Sequence, residues 1–279
     1  MIKQISKNKD SILAQYVFPN VIYNRFDLLG LNYDLYNIDK YYIHVEICQN
    51  GEKGVNYAHV GLYLSKIPLK LLNRFSDFLF NKYKNIKYID IKHCYTAFDK
   101  NTLPYPYWHV VLPETVDEFN KTLSHRVRYN TKWYPKKIKN DIGDYEIKKY
   151  SRTKIPVGII KQYLTWKGIS HDFHFNGSAT SFIKTFGITN CYVMYINKET
   201  IAVAFICDTG DNVYFENFSY DKTFEKYSIG MVLYYYVICD LIQIHKKIFY
   251  LSGGWLDYKR HYNGVLTLTY SGKIYRPDK

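Results

Sequence analysis

The chain holds only five cysteines, Cys48, Cys94, Cys191, Cys207 and Cys239, an odd number with no C-x-x-C spacing among them. That argues against a disulfide framework and against a thiolate zinc site. Each cysteine sits beside an Ile or a Tyr, so all five read as small buried hydrophobes in a reducing compartment. No run approaches the ~18 apolar residues of a membrane span, and the first residues, MIKQISKNKDSILAQYVF, have no long apolar segment of a signal peptide. The expectation is a cytoplasmic protein with no membrane partner. Acid is also in short supply: 25 Asp and Glu against 38 Lys and Arg leave a net charge of +13. That balance favours anionic partners such as nucleic acid, acidic lipid or phosphorylated small molecules, although a lysine-rich solubilising surface has the same composition. A fixed short repeat, a low-complexity tract and sustained heptads are all absent.

What remains is a globular composition, 47% hydrophobic and 23% charged in 279 residues, enough for one large or two ordinary domains. The first half alternates short strands and helices. Strands are expected at Tyr42–Ile47, Ala58–Leu64, Ile86–Ile91 and Trp108–Leu112, and a helix opens at Pro68 with Leu71, Leu72, Phe75, Phe78 and Leu79 at helical spacing. Thr115-Val-Asp-Glu118 is a capping box that should start a helix carrying Phe119, Leu123 and Val127. The same helix holds the basic run His125 to Lys139, and Pro135 should break or kink it. A polar, turn-rich stretch at Lys139 to Asp144 marks the expected joint between a domain over 1–140 and a domain over 141–279.

The second half reads as strand Tyr145–Ile147, helix Pro156–Trp166, helix Ala179–Phe186, and a three-strand meander at Cys191–Ile196, Ile201–Cys207 and Asn212–Phe218. A buried helix, a strand at Lys247–Leu251, a short helix over Asp257–Tyr262 and a strand at Val265–Thr269 follow. The buried helix opens on Ser228-Ile229-Gly230, a small-residue step that packing alone does not require. A turn of this kind can be a plain N-cap. It can also present free backbone N–H groups and the positive helix end to a phosphate, with Gly230 permitting close approach.

In order and in residues this half resembles the GNAT acyltransferases, in particular the divergent branch of FemAB-like and tandem-GNAT sugar N-acyltransferases. The matching pieces are Ile201-Ala-Val-Ala-Phe, Tyr220-Asp221, Tyr227-Ser-Ile-Gly-Met-Val-Leu and Gly253-Gly-Trp-Leu-Asp-Tyr-Lys259, and the basic helix from Ser124 resembles the arginine-rich segment of that branch. The Q/R-x-x-G-x-G/A loop of the wider family is absent, and only its final glycine, Gly230, remains. The resemblance implies an α+β fold of two GNAT-like halves, each a mixed, mostly antiparallel sheet flanked by helices, with the C-terminal half catalytic. It also implies acyl-CoA as donor, its pyrophosphate on the amides of Tyr227, Ser228, Ile229, Gly230 and Met231. An oxyanion would be held by N–H groups near Glu216 to Phe218.

Glu216 is the candidate general base, a carboxylate midway along an apolar strand whose burial would raise its pKa; a solvent-facing or lysine-paired side chain is the plain alternative. His171 and His174, in the loop after the first helix of this half, compete for the role because imidazole titrates near neutrality. A two-histidine metal site has no clustered further ligand, so no metal is expected. By resemblance Tyr258 is a candidate proton donor to the leaving thiolate and Lys259 a ligand of an anionic substrate group. Trp133, Trp166 and Trp255 are core or interface residues unless one stacks on a base or sugar, and Arg126 lies on the basic helix. The resemblance implies an acceptor amine on a nucleotide-linked amino sugar. The alternatives are a FemAB-like transferase using aminoacyl-tRNA, or a non-catalytic nucleic-acid-binding protein using Tyr129, Trp133 and Tyr134; with acyl-CoA as donor no nucleic-acid partner is expected.

Overall fold

The computed structural model describes residues 2–5, 34–38, 41–50, 55–61, 67–94, 97–98, 102–168, 182–183, 187–253 and 258–277. In chain order they form β1 (Ile2–Ile5), β2 (Asp34–Ile38), β3 (Tyr41–Asn50), β4 (Val55–Gly61), α1 (Leu69–Lys82), β5 (Ile86–Cys94), β6 (Leu103–Val111), α2 (Val116–Thr122) and α3 (His125–Asp141). Next come β7 (Tyr145–Ser151), α4 (Val157–Lys167), β8 (Asn190–Ile196), β9 (Glu199–Asp208), β10 (Asn212–Tyr220), α5 (Ile229–Gln243), β11 (Ile248–Gly253), α6 (Tyr258–His261) and β12 (Val265–Tyr275). The result is a mixed α/β architecture in two compact units, Met1–Tyr107 with Leu266–Lys279, and Trp108–Val265.

In the first unit β1 to β4 pair antiparallel in sequence, β4 and β5 pair parallel across the α1 crossover, and β12 adds antiparallel to β5. Helix α1 buries Leu72, Phe75, Ser76, Leu79 and Phe80, the i, i+3, i+4 stripe of an amphipathic helix. Pro68 is its N-cap instead of its first helical residue, with its carbonyl accepting from the amides of Leu71 and Leu72. At the other end the Arg276 guanidinium donates to the carbonyls of Phe80 and Tyr83 at 2.8 and 2.9 Å, satisfying acceptors the helix terminus leaves open. Strand β6 starts earlier than expected, at Leu103, despite Pro104 and Pro106. Successive N–H groups of a strand point to opposite edges, so prolines two residues apart remove donors from one edge only.

The second unit repeats the succession. Strands β7 to β10 pair antiparallel in order, and β10 pairs parallel with β11 across α5. Asn197 and Lys198 both have positive φ, 49° and 69°, as a two-residue hairpin between right-twisted strands requires. Both faces of β8 and β9 are covered. Tyr192, Met194, Ala202, Ala204 and Ile206 join α5 in one core, and Cys191, Val193, Val203 and Phe205 join Ile159, Ile160, Tyr163 and Leu164 of α4 in another. Two-sided burial is why these strands read as nearly continuous apolar runs. None of the five cysteines is in a disulfide.

Three expectations change. The capping box at Thr115 starts α2 only; Ser124 then caps a separate α3 by accepting from the amide of Val127 at 3.3 Å. Pro135 does not end α3, which runs on to Asp141 because Val127, Thr131 and Ile138 bind it to the core on both sides of the proline. The compact units divide at 107/108 and 265/266, not near residue 140, because α3 packs into the second unit's core and β12 pairs with β5. Of the helix expected at Ala179–Phe186, Phe182 and Ile183 are helical and the rest lies outside the described residues.

Candidate active site

Strands β10 and β11 begin as a parallel pair and then part. Their ladder comprises Asn212↔Ile248, Val213↔Phe249 and Tyr214↔Tyr250, and goes no further. On its other edge β10 slips against β9 between Phe215 and Asn217: Phe215 faces Ile206 and Asn217 faces Phe205, which makes Glu216 the extra residue of a β-bulge. A bulge bends and overtwists its strand, which accounts for the parting of β10 from β11 at this level. The gap is a cavity of about 530 Å³ whose walls include Glu216, Phe218, Gly230, Tyr234, Tyr258 and Lys259.

Glu216 is half-buried and makes no hydrogen bond or ion pair among the described residues. Loss of water around its carboxylate pushes its pKa up to about 8. Lys259 lies on the same cavity and is 1% exposed, its Nζ donating to the Gly253 carbonyl at 2.6 Å. Burial pulls that ammonium down to about 8. A carboxyl raised and an ammonium lowered in one cavity are each poised to exchange a proton near neutral pH, the condition acid–base chemistry needs. Tyr258 stands at the rim, its ring edge-on to Tyr234 at 5.9 Å. Tyr234 itself is buried against Phe215 and Tyr262, and its hydroxyl has no hydrogen-bond partner among the described residues. The Tyr262 hydroxyl donates to the Met231 carbonyl, and the Tyr163 hydroxyl donates to Oδ1 of Asn217 at 2.8 Å.

The Ser-Ile-Gly step is where α5 begins. Ser228 is its N-cap in the left-handed region, φ 48° and ψ 45°, and its hydroxyl makes no capping bond. Not every amide of the turn is bare: Ser228 donates to the Glu225 carbonyl, and Met231 to the Ser228 carbonyl, both at 2.9 Å. The amides of Ile229 and Gly230 have no backbone partner among the described residues. These two, at the positive end of a fifteen-residue helix, are the anion-binding groups the turn can offer. Tyr227 and Ile229 bury their side chains in the core, 6% and 0% exposed, while Phe218, Gly230 and Met231 face the cavity.

The structure thus brings together Glu216, Phe218, Gly230, Met231, Tyr258 and Lys259 on one cavity. Trp166 packs at the edge of the α4 core, and Arg126 and Trp133 lie on the exposed face of α3; none of the three lines the cavity. The Lys137 ammonium sits 4.8 Å from the Trp133 ring centroid and 5.8 Å from that of Tyr227, which sets α3 beside the start of α5. His171, His174 and Trp255 lie outside the described residues. Asn217, Tyr234 and Tyr262 line the cavity without having been singled out from the sequence. Among the described residues no three His, Cys, Asp or Glu side chains cluster as a metal site would need, and no helix is long and apolar enough to cross a membrane.

Residues 184–260, which contain the bulged strand, the Ser-Ile-Gly step and Lys259, match the acetyltransferase (GNAT) domain family. No curated protein matches the sequence. Among solved structures, FemX is similar over 97% of this chain and 96% of its own, with a TM-score of 0.64 at 8% identity. The C-terminal domain of a putative lysylphosphatidylglycerol synthetase from Agrobacterium fabrum has a TM-score of 0.60 at 10% identity, over 95% of this chain and 92% of that one. L-PGS from Bacillus licheniformis has a TM-score of 0.59 at 10% identity, over 99% of this chain and 94% of that one. At such identities the likeness is one of fold. Within that fold, residues 184–260 are the part that matches the GNAT domain.

Proposed function

We propose that the second unit transfers an acyl group from coenzyme A to a substrate amine, with Glu216 as the base. The observation that carries this reading is the bulge: it holds a carboxylate with a pKa near 8 at the mouth of a parting sheet. The substrate ammonium gives a proton to Glu216, and the freed amine attacks the thioester carbonyl. The carbon–sulfur bond breaks as the new amide forms, the departing thiolate takes a proton from Tyr258, and the surplus proton on the amide nitrogen restores the Tyr258 hydroxyl. Beyond Tyr214 the backbone of β10 has no partner on β11, so its N–H groups on that edge are available to the oxyanion. The amides of Ile229 and Gly230 would hold the donor's pyrophosphate, and Lys259 would face an anionic group of the substrate. The resemblance makes the amine of a nucleotide-linked amino sugar the first acceptor to test.

The first unit is best read as a GNAT-like half without the chemistry. After a register shift at Asn56, its parallel strands stay paired over five successive residues, from Tyr57↔Tyr88 to Gly61↔Lys92, where β10 and β11 part after three.

A second donor is favoured by one observation. The outward face of α3 carries Arg126, Tyr129, Lys132, Trp133, Lys136 and Lys139, all exposed, and of these Lys139 pairs with Asp144 at 3.0 Å. Cations interleaved with aromatic rings suit an RNA strand, and hence an aminoacyl-tRNA donor as in the FemAB-like branch. Thermal-shift titrations with acyl-CoAs and aminoacyl-tRNA at two salt concentrations, followed by thiol-release assays with amino-sugar acceptors, separate the two. Stabilisation by acyl-CoA that survives added salt supports the thioester. Binding to tRNA alone, falling steeply with salt, moves the donor to RNA.

A further inference from the structure

The first unit carries a feature that acyl transfer does not use. On one face of its sheet three tyrosines stand in a row across neighbouring strands: Tyr57 of β4 is opposite Tyr88 of β5, and Tyr88 is opposite Tyr275 of β12. The rings of Tyr57 and Tyr88 stack at 5.0 Å with 10° between their planes, and Tyr275 lies 5.8 Å from Tyr88, tilted by 50°. Tyr57 is half-buried, Tyr88 in the middle is 9% exposed and Tyr275 at the outer end 65%. Beside it is a cavity of about 470 Å³ whose lining includes Asp90, Tyr105, Ser271, Lys273 and Tyr275. That volume lies in the ~300–1,000 Å³ range of small-molecule sites.

Strand alternation puts Asp90 on the face of Tyr88 and Lys273 on the face of Tyr275, and Asp90 and Lys273 are themselves cross-strand partners. The Lys273 ammonium lies 4.4 Å from the Tyr88 ring centroid. These groups select among ligands. A nucleotide would bring phosphate to a carboxylate, and Tyr88, already stacked by Tyr57 and with the Lys273 ammonium over it, does not line the cavity to sandwich a base. A fatty chain would strip water from both Asp90 and Lys273. A sugar ring suits the lining: its C–H face covers Tyr275 and Tyr105, and its hydroxyls exchange hydrogen bonds with Asp90, Lys273 and Ser271 beside the contacts that Asp90, Tyr105 and Ser271 already make. We propose that this cavity is a saccharide-binding site, distinct from the acyl-transfer cavity and independent of the donor it uses.

The test is calorimetric titration of the full chain with tetrasaccharides of glucose, glucosamine and N-acetylglucosamine, with uridine monophosphate as the nucleotide arm. At least one tetrasaccharide should bind saturably. Tyr275→Ala should weaken it about tenfold or more, and Tyr275→Phe, which keeps the ring, by no more than about threefold. The isosteric Asp90→Asn should also cost about tenfold, and keeps the test open should the alanine variant melt early. No tetrasaccharide binding, preference for the nucleotide, or affinity unchanged in both Tyr275→Ala and Asp90→Asn overturns the proposal.

Discussion

The ring of Phe218 lies against Gly230 so closely that a Cβ on the glycine would sit 3.1 Å from Phe218 Cζ and 3.2 Å from Cε1. The glycine therefore admits an aromatic ring from β10 as well as leaving the first turn of α5 open to an anion. Because Phe218 borders the cavity, its ring has somewhere to go when pushed. Gly230→Ala should fold with a melting temperature within a few degrees of the parent, yet weaken coenzyme A binding about tenfold as the ring moves into the cavity. Trimming that ring in Gly230→Ala/Phe218→Leu should restore most of the affinity. Calorimetry on the three proteins decides the point, and a double variant no better than the single one removes Phe218 from the explanation.

Ser228 holds φ 48° without a hydrogen bond from its hydroxyl. An L-residue pays about 1 kcal/mol for that backbone region, and here no capping bond offsets it. Ser228→Gly should raise the melting temperature by about 2 °C, and Ser228→Val, branched at Cβ, should lower it by more. A lower melting temperature for the glycine variant would mean that the hydroxyl has a stabilising partner.

Much of the second unit was legible in its sequence because the signals there are local. The tight turns at Asn197–Lys198 and Thr209–Asn212 define β8 to β10 within a residue or two, and Glu216 stands out as a carboxylate in an apolar strand. The bulge was not legible, since register is a property of two strands and neither sequence alone declares the slip. Nor does composition say which of Tyr234, Tyr235 and Tyr236 turns inward. The helical phase does: Tyr234 is 4% exposed and Tyr236 41%. Pro135 misleads because tertiary packing on both sides outweighs a local preference. Unit boundaries near 107 and 265 rest on contacts between the ends of the chain, which no window along the sequence contains.

With Glu216 as base and the Lys259 ammonium facing the substrate's anionic group, kcat/KM should climb with pH as Glu216 ionises, peak near 8 and fall above it as Lys259 loses its charge. Glu216→Gln should lower kcat by about 10²–10⁴-fold, leave coenzyme A affinity unchanged and flatten the rising limb of the profile. Should the variant keep both rate and profile, the base lies elsewhere, with the histidine loop the first place to look.

The same two groups give stability an unusual pH dependence. Glu216 has a folded pKa of about 8 against 4.5 when unfolded, so between those values the folded chain binds more protons and stability falls as pH rises. Lys259 is the mirror case: its folded pKa of about 8 lies below the unfolded 10.5, so from about 8 to 10.5 the unfolded chain binds more protons and stability rises with pH. Together they place a minimum near pH 8, where the proposed base becomes active. Denaturant unfolding followed from pH 5 to 10 should show the dip against the background of the other titrating groups. Glu216→Gln should remove the descent on the acid side, and Lys259→Met the recovery on the alkaline side. Each variant should leave the other limb in place, because neither group owes its shift to the other. Parallel loss of both limbs in either variant would show instead that the carboxylate and the ammonium titrate as a pair across the cavity.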